Sequence, residues 1–240
     1  MIRKSVFNLL LWMIALAAAG PILKLSADPQ HMRFPLKTIV LDPGHGGRDT
    51  GATGPSGTHE KDICLAMAAD LAKNLSPTYK VILTRSDDYS MDNDQRAAVA
   101  NHEHADLFIS LHTGATFQRT AKGMAVYIYQ AANKAEAKPA LEKDSGSKSW
   151  QSLQTAHTAK SRALAEAVKA SLENLDRSSP FQLEAAPLSV LQGADMPGIL
   201  LELGQLSNPD TEKALNSEDQ VRAYVRAVSA AIDIFFANQP

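Results

Sequence analysis

Apolar and polar positions along this chain switch repeatedly between a strand period and a helix period. Residues 37–41 form a β-branched apolar run, and Asp42-Pro43-Gly44 ends it; this predicts a strand followed by a turn. Ile63, Met67 and Leu71 then recur at four-residue spacing, predicting a helix from a cap at Thr58 to about Leu75 with one core-facing stripe. Residues 79–84 read as a second strand, 92–102 as a helix, 107–111 as a third strand and 124–129 as a fourth. The Ala-rich stretch 153–175 reads as a helix, 188–191 and 199–201 as short strands, and 221–236 as a closing amphipathic helix. Strands that alternate with helices predict an α/β fold around one sheet. Residues 131–151 carry Lys, Glu, Ser and Gly but few large apolar groups, so they read as a surface insertion or a mobile loop.

The first residues follow a different pattern. Arg3 and Lys4 precede an apolar run from Leu9 to Ala19, and Ala17-Ala18-Ala19 offers a small-residue cleavage site. This is the three-part form of a secretory signal peptide, expected to be cut after Ala19 or Ala27. The run is shorter than the roughly 20 residues a membrane span needs, so no stable span is expected. Residues 1–27 are therefore read as leader, 28–36 as linker and 37–240 as one catalytic domain. The full chain has 240 residues and a net charge of −2, with no basic excess to attract nucleic acid; a monomer is expected. Cys64 is the only cysteine. No intramolecular disulfide can form, and its place between Ile63 and Leu65 reads as a buried core thiol.

Candidate chemistry gathers at the strand ends. His45 follows the first strand, His112 follows the third, and Glu202 follows Ile199-Leu200-Leu201. Open α/β sheets place their ligands beyond the carboxyl ends of such strands. Glu60, in the first turn of the following helix, could join them. Two imidazoles and a carboxylate suit a catalytic zinc site with an open position for water, and a further carboxylate suits a general base. With four groups, three can be ligands and one the base. His31, His59, His102, His104 and His157 read as solvated or linker imidazoles. Gly44-His45-Gly46-Gly47 is not a dinucleotide cradle, because Asp49 stands where the third Gly is needed. Gly54-Pro55-Ser56-Gly57 lacks the spacing of a nucleophile elbow.

The segments around these residues resemble the zinc-dependent type-3 family of N-acetylmuramoyl-L-alanine amidases. They are Ile39 through Gly47, Gly57 through Asp62, Val81 through Arg85, Arg96 through Asn101, Ala105 through His112, and Leu200 through Gly204 with Ser207-Asn208. The resemblance implies zinc held by His45, Glu60 and His112, with Glu202 as the catalytic carboxylate. It implies a mixed sheet of about six strands flanked by helices. The implied substrate is the peptidoglycan amide that joins N-acetylmuramic acid to L-alanine, met in the periplasm or cell-wall space. In some members of the family an inserted helix covers the zinc until a partner withdraws it. The polar composition of 131–151 is poorly suited to such a plug, so a basally active enzyme is expected. The chain departs from the family twice: Thr113-Gly114-Ala115 replaces an Ala-Asn-Ala type of run after the second His, and Gln205-Leu206 replaces an aromatic-led run after the Glu. Two other readings stay open: a catalytically weak wall-binding or regulatory relative, and a zinc peptidase acting on stem peptides.

Overall fold

A computed structural model describes residues 36–132, 150, 153–177 and 179–239. The expected leader, nearly all of the linker and most of the 131–151 insertion lie outside the described residues. In chain order the elements are β1 (Thr38–Pro43), α1 (Glu60–Leu75), β2 (Lys80–Leu83), α2 (Asn93–His102), β3 (Leu107–Gly114) and β4 (Met124–Tyr129). A 3₁₀ turn (Gln154–His157), α3 (Thr158–Leu175), β5 (Phe181–Ala186), α4 (Ser189–Gln192), β6 (Gly198–Gln205), α5 (Pro209–Leu215) and α6 (Glu218–Ala237) follow. The six strands form one mixed sheet in the order β2-β1-β3-β6-β4-β5. β2, β1, β3 and β6 run parallel, β4 runs antiparallel to β6, and β5 runs parallel to β4.

The alternation of side chains divides the core into two layers. Ile39, Leu41, Leu107, Ile109, Leu111, Ile199 and Leu201 point to one face and pack with α1, α3 and α6. The expected stripe of α1 is in place there, with Ile63, Met67 and Leu71 buried. Val40, Phe108 and Leu200 point to the other face, where α2 and the short α4 supply a smaller cluster. Both sides of β1, β3 and β6 are thus covered, which is why these strands read as continuous apolar runs. Cys64 is buried in the core, as expected.

Several boundaries differ from the sequence reading. His59 precedes α1 as its cap; the Thr58 hydroxyl instead accepts a hydrogen bond from Asn216 Nδ2 at 3.0 Å, tying it to the end of α5. Residues 188–191 are not a strand: Leu188 caps α4, and Val190 and Leu191 plug the smaller core. The sixth strand is β5, whose Phe181-Gln182-Leu183-Glu184 alternation pairs with β4 along the sheet edge. α5 starts where the Asn208 side chain accepts from the N–H groups of Asp210 and Thr211 and Pro209 takes a first-turn position. β3 and β6 run past Leu111 and Leu201, because they continue to pair as far as Gly114 and Gln205.

A polar hub sits under the carboxyl end of β1. Asp42 is fully buried. Its Oδ1 accepts from Thr84 Oγ1 at 2.6 Å and Arg96 Nη1 at 2.8 Å, and its Oδ2 accepts from Ser110 Oγ at 2.7 Å. Arg96 Nη1 also reaches the Pro43 carbonyl at 2.7 Å, and Nη2 the His45 carbonyl at 2.7 Å. Arg85, 1% exposed, donates to the carbonyls of Pro43, Gly44 and Lys61. Removing one member of a buried ion pair strands the other charge. Arg96→Ala should therefore cost about 3–5 kcal/mol, read as a fall in the urea midpoint, whereas Ser110→Ala should cost only about 1–3 kcal/mol.

Candidate functional site

The hub delivers His45 to the site in an uncommon backbone conformation. His45 has φ 60°, a region that residues other than glycine seldom occupy. The turn around it is closed by reciprocal hydrogen bonds between Gly46 and Asp49, and the Arg96 guanidinium holds its carbonyl. The ring is fixed at both nitrogens. Nδ1 lies 2.8 Å from Asp49 Oδ2, and Nε2 lies 3.1 Å from Glu60 Oε1.

Glu60 is the first residue of α1 and is 3% exposed. Its Oε2 accepts from the Ala52 N–H at 2.9 Å, and its Oε1 accepts from the Thr113 N–H at 2.9 Å. His112 Nδ1 lies 3.0 Å from the same Oε1. The two imidazoles meet edge to face with centroids 4.9 Å apart. Small residues make this approach feasible. A Cβ on Gly44 would stand 2.4 Å from His112 Cε1, and one on Gly51 would stand 2.6 Å from His45 Cδ2 and 2.7 Å from Glu60 Oε2.

One ligand atom each from His45, Glu60 and His112 falls within 4.8 Å of the others. Two imidazole nitrogens and a carboxylate oxygen form a donor set that fits a catalytic zinc ion. The Asp49 contact on the far nitrogen of His45 is the kind of outer partner that orients a ligating imidazole. Burial works to raise the Glu60 pKa, but the hydrogen bonds from His112, His45, Ala52 and Thr113 outweigh it and hold this carboxyl well below the ordinary range. His45 is raised above the usual imidazole value, chiefly by its hydrogen bond to Glu60 and further by Asp49, against the effect of burial.

Glu202 belongs to β6 and sits in register with His112 of β3. It lies within the strand rather than at its end, as His112 does. Its carboxyl is half-buried and its pKa is raised, first by burial and then by the charges of Glu60 and Glu184, against the pull of His112 and Tyr127. Tyr127 of β4 faces it, and burial together with the Glu202 charge raises the phenol in turn. The fold thus brings all four expected residues to one place, His112 and Glu202 from strands, His45 from the turn after β1 and Glu60 from the start of α1. The other imidazoles are elsewhere: His59 Nδ1 bonds Thr53 Oγ1 at 3.1 Å, His157 Nε2 bonds Asp195 Oδ1 at 2.9 Å, His102 and His104 are exposed, and His31 lies outside the described residues.

Sequence reasoning missed the residues that hold this group in place. Asp42, Asp49, Arg85, Arg96 and Glu212 went unassigned. A signal existed for Arg96, which lies on the same helix stripe as the buried Ala97 and Ala100. The signal for Glu212 was its first-turn position after Asn208-Pro209.

The N-acetylmuramoyl-L-alanine amidase family model matches residues 39–233. The amidase AmiC of Neisseria meningitidis is 32% identical over 214 residues, covering 81% of this chain and 51% of the relative. AmiC of Escherichia coli is 30% identical over 221 residues, covering 83% and 53%. The chain thus spans about half the length of these relatives. The solved catalytic domain of the amidase CwlV from Paenibacillus polymyxa has a TM-score of 0.64 and 27% identity, over 85% of this chain and all of that one.

The loop that leads into Glu60 rests on one carboxylate. Glu212 of α5 accepts from the Ser56 N–H at 2.9 Å through Oε2 and from the Thr58 N–H at 3.2 Å through Oε1. A Cβ on Gly54 would stand 2.4 Å from that Oε1. Glu212→Ala should leave the sheet folded but speed amide hydrogen exchange at Ser56 and Thr58 while Ile109 and Leu201 stay protected.

Proposed function

The chain belongs to the N-acetylmuramoyl-L-alanine amidase family, and from that premise we propose that it is an exported, zinc-dependent hydrolase of peptidoglycan. It cleaves the amide between the lactyl group of N-acetylmuramic acid and the L-alanine of the stem peptide. The observation that carries this reading is the convergence of His45, Glu60 and His112 beside Glu202 at the carboxyl end of β1 and β3. Export rests on the Arg3-Lys4 leader pattern, and among the described residues no helix is long and apolar enough to cross a membrane.

His45, Glu60 and His112 would hold the zinc. When bound, zinc supplies Lewis-acid polarisation of the scissile carbonyl and lowers the pKa of the attacking water. Glu202 would serve as the proton carrier, taking a proton from the attacking water and returning it to the departing α-amine of L-alanine. Burial raises this carboxyl above its ordinary value, which makes it a better proton acceptor than a solvated glutamate, as a general base requires. Tyr127 restrains the Glu202 carboxyl from the neighbouring strand. Asp49 keeps His45 Nε2 aimed at the metal position by engaging Nδ1.

Digestion of purified peptidoglycan with and without added zinc tests the activity. Mass analysis should show stem peptides that begin with a free L-alanine amine and glycan chains with free lactyl carboxyls. Cuts inside the stem peptide would instead mark a zinc peptidase, and binding without cuts a wall-binding relative. Two variants separate ligand from base. Glu60→Ala should lower zinc content, because it removes one of three ligands. Glu202→Gln should keep about one zinc per chain and lose roughly 10²–10⁴-fold in kcat. A zinc-free Glu202→Gln protein, or a fully metallated and inactive Glu60→Ala protein, would exchange the two roles.

A further inference from the structure

The end of the β3–β6 ladder contains a polar group that the fold does not use. From His112 to Gly114, β3 advances two residues, while from Glu202 to Gln205 its partner β6 advances three. The extra residue makes a bulge, and Gly204, with φ 129°, provides the backbone conformation there. Side chains alternate along a regular strand, so Gln205 would ordinarily point away from the face that carries Glu202. The bulge turns it back to that face. The Gln205 amide then lies over Gly114, where a Cβ would stand 2.4 Å from Nε2 and 2.7 Å from Oε1. Gly114 is itself two residues beyond His112. The carboxamide therefore sits one bulge away from Glu202, on the same side of the sheet.

This amide has no hydrogen-bonding role within the described residues. Gln205 Oε1 is screened from water and has no donor. An unmet buried acceptor costs free energy, and an apolar side chain of similar length would avoid the cost. The residue as a whole is only half-buried, and the terminal amide torsion is soft. A half-turn exchanges the screened Oε1 with Nε2, which is not screened in the same way.

Resting on the amidase reading, we propose that Gln205 is a substrate-binding residue whose carboxamide accepts a secondary-amide N–H next to the scissile bond. Two groups of a muropeptide have that chemistry: the peptide N–H that follows L-alanine, and the 2-acetamido N–H of the sugar. The bulge is the device that aims the amide, so specificity is built into the strand rather than into a surface loop.

Gln205→Met removes the amide and keeps the length. The measurement is the Kd of muramyl dipeptide for zinc-loaded Glu202→Gln protein, with and without Gln205→Met, alongside the Tm of both. The expected result is a three- to tenfold weaker Kd, as for one neutral hydrogen bond, with Tm unchanged or raised. A purely structural Gln205 would move Tm and not Kd. Gln205→Leu repeats the comparison should the first substitution disturb folding. N-acetylmuramoyl-L-alanine lacks the second peptide bond, and a dipeptide with a free sugar amine lacks the acetamido group. The penalty should vanish on the ligand that lacks the recognised donor. Equal Kd values with and without Gln205→Met, for all three ligands, would overturn the inference alone. Failure of the Glu202→Gln protein to bind any of them would remove the amidase reading and this inference together.

Discussion

The site depends on two buried guanidinium groups that grip one short stretch of backbone. After β1 the chain must turn sharply, and the carbonyls of Pro43, Gly44 and His45 lose any ladder partner. Arg85 and Arg96 supply the donors. Their planar forks suit several carbonyls at once, which a lysine ammonium could not match in geometry. Desolvating two cations is costly, and Asp42 offsets the cost for Arg96 at a separation of 2.8 Å. The return is positional. His45 holds φ 60° with its carbonyl gripped by Arg96 and the turn after it closed by Gly46 and Asp49, and its ring is presented to Glu60.

Glu60 concentrates the consequence. One carboxylate receives two backbone N–H groups and faces two imidazoles. That environment keeps it ionised and favours positive charge between the rings. A proton and a metal cation compete for the same nitrogen lone pairs, so the raised pKa of His45 and the fit to zinc are two expressions of one field. Glu202 has the opposite surroundings: burial and other carboxylates raise it. Neighbouring acids pushed in opposite directions suit the proposed division of labour between Glu60 and Glu202.

Most of this was legible where the signal is local. The apolar runs of β1, β3 and β4 and the stripe of α1 follow from periodicity, and the four site residues stood out because acids and imidazoles interrupt or end apolar strands. Legibility failed where pairing decided the structure. Residues 188–191 are apolar enough for a strand, yet burial of Val190 and Leu191 against the smaller core is met as well by one helical turn. The β5 alternation was short and polar, as an edge strand permits. The hub was invisible because Asp42, Arg85, Arg96 and Ser110 are far apart in sequence and look like ordinary polar residues one by one. The two departures from the family pattern, near Gly114 and at Gln205, looked independent in sequence; in space they touch across the bulge.

The unequal layers explain why chemistry is found on one side of the sheet. Three long helices, α1, α3 and α6, cover the larger core. On the other face, among the described residues, α2 and four-residue α4 cover only the part around Val40, Phe108 and Leu200. Farther along the same strands this face carries Asp42, His112 and Glu202 instead of aliphatic groups, and Tyr127 and Glu184, in register with Leu200, carry polar atoms toward the sheet edge. Asp42 and Ser110 are fully buried and are satisfied by each other and by Arg96 of α2, whereas His112 and Glu202 are only half-buried, where a polar group costs less. Apolar cover therefore ends where the polar positions begin, and one strand provides both. Val40 anchors the base of β1 while Asp42, two residues on, organises the site; Leu200 and Glu202 repeat the division on β6. Shifting either strand by one residue would exchange its two faces, so the pairing that buries the core is also what places His112 and Glu202.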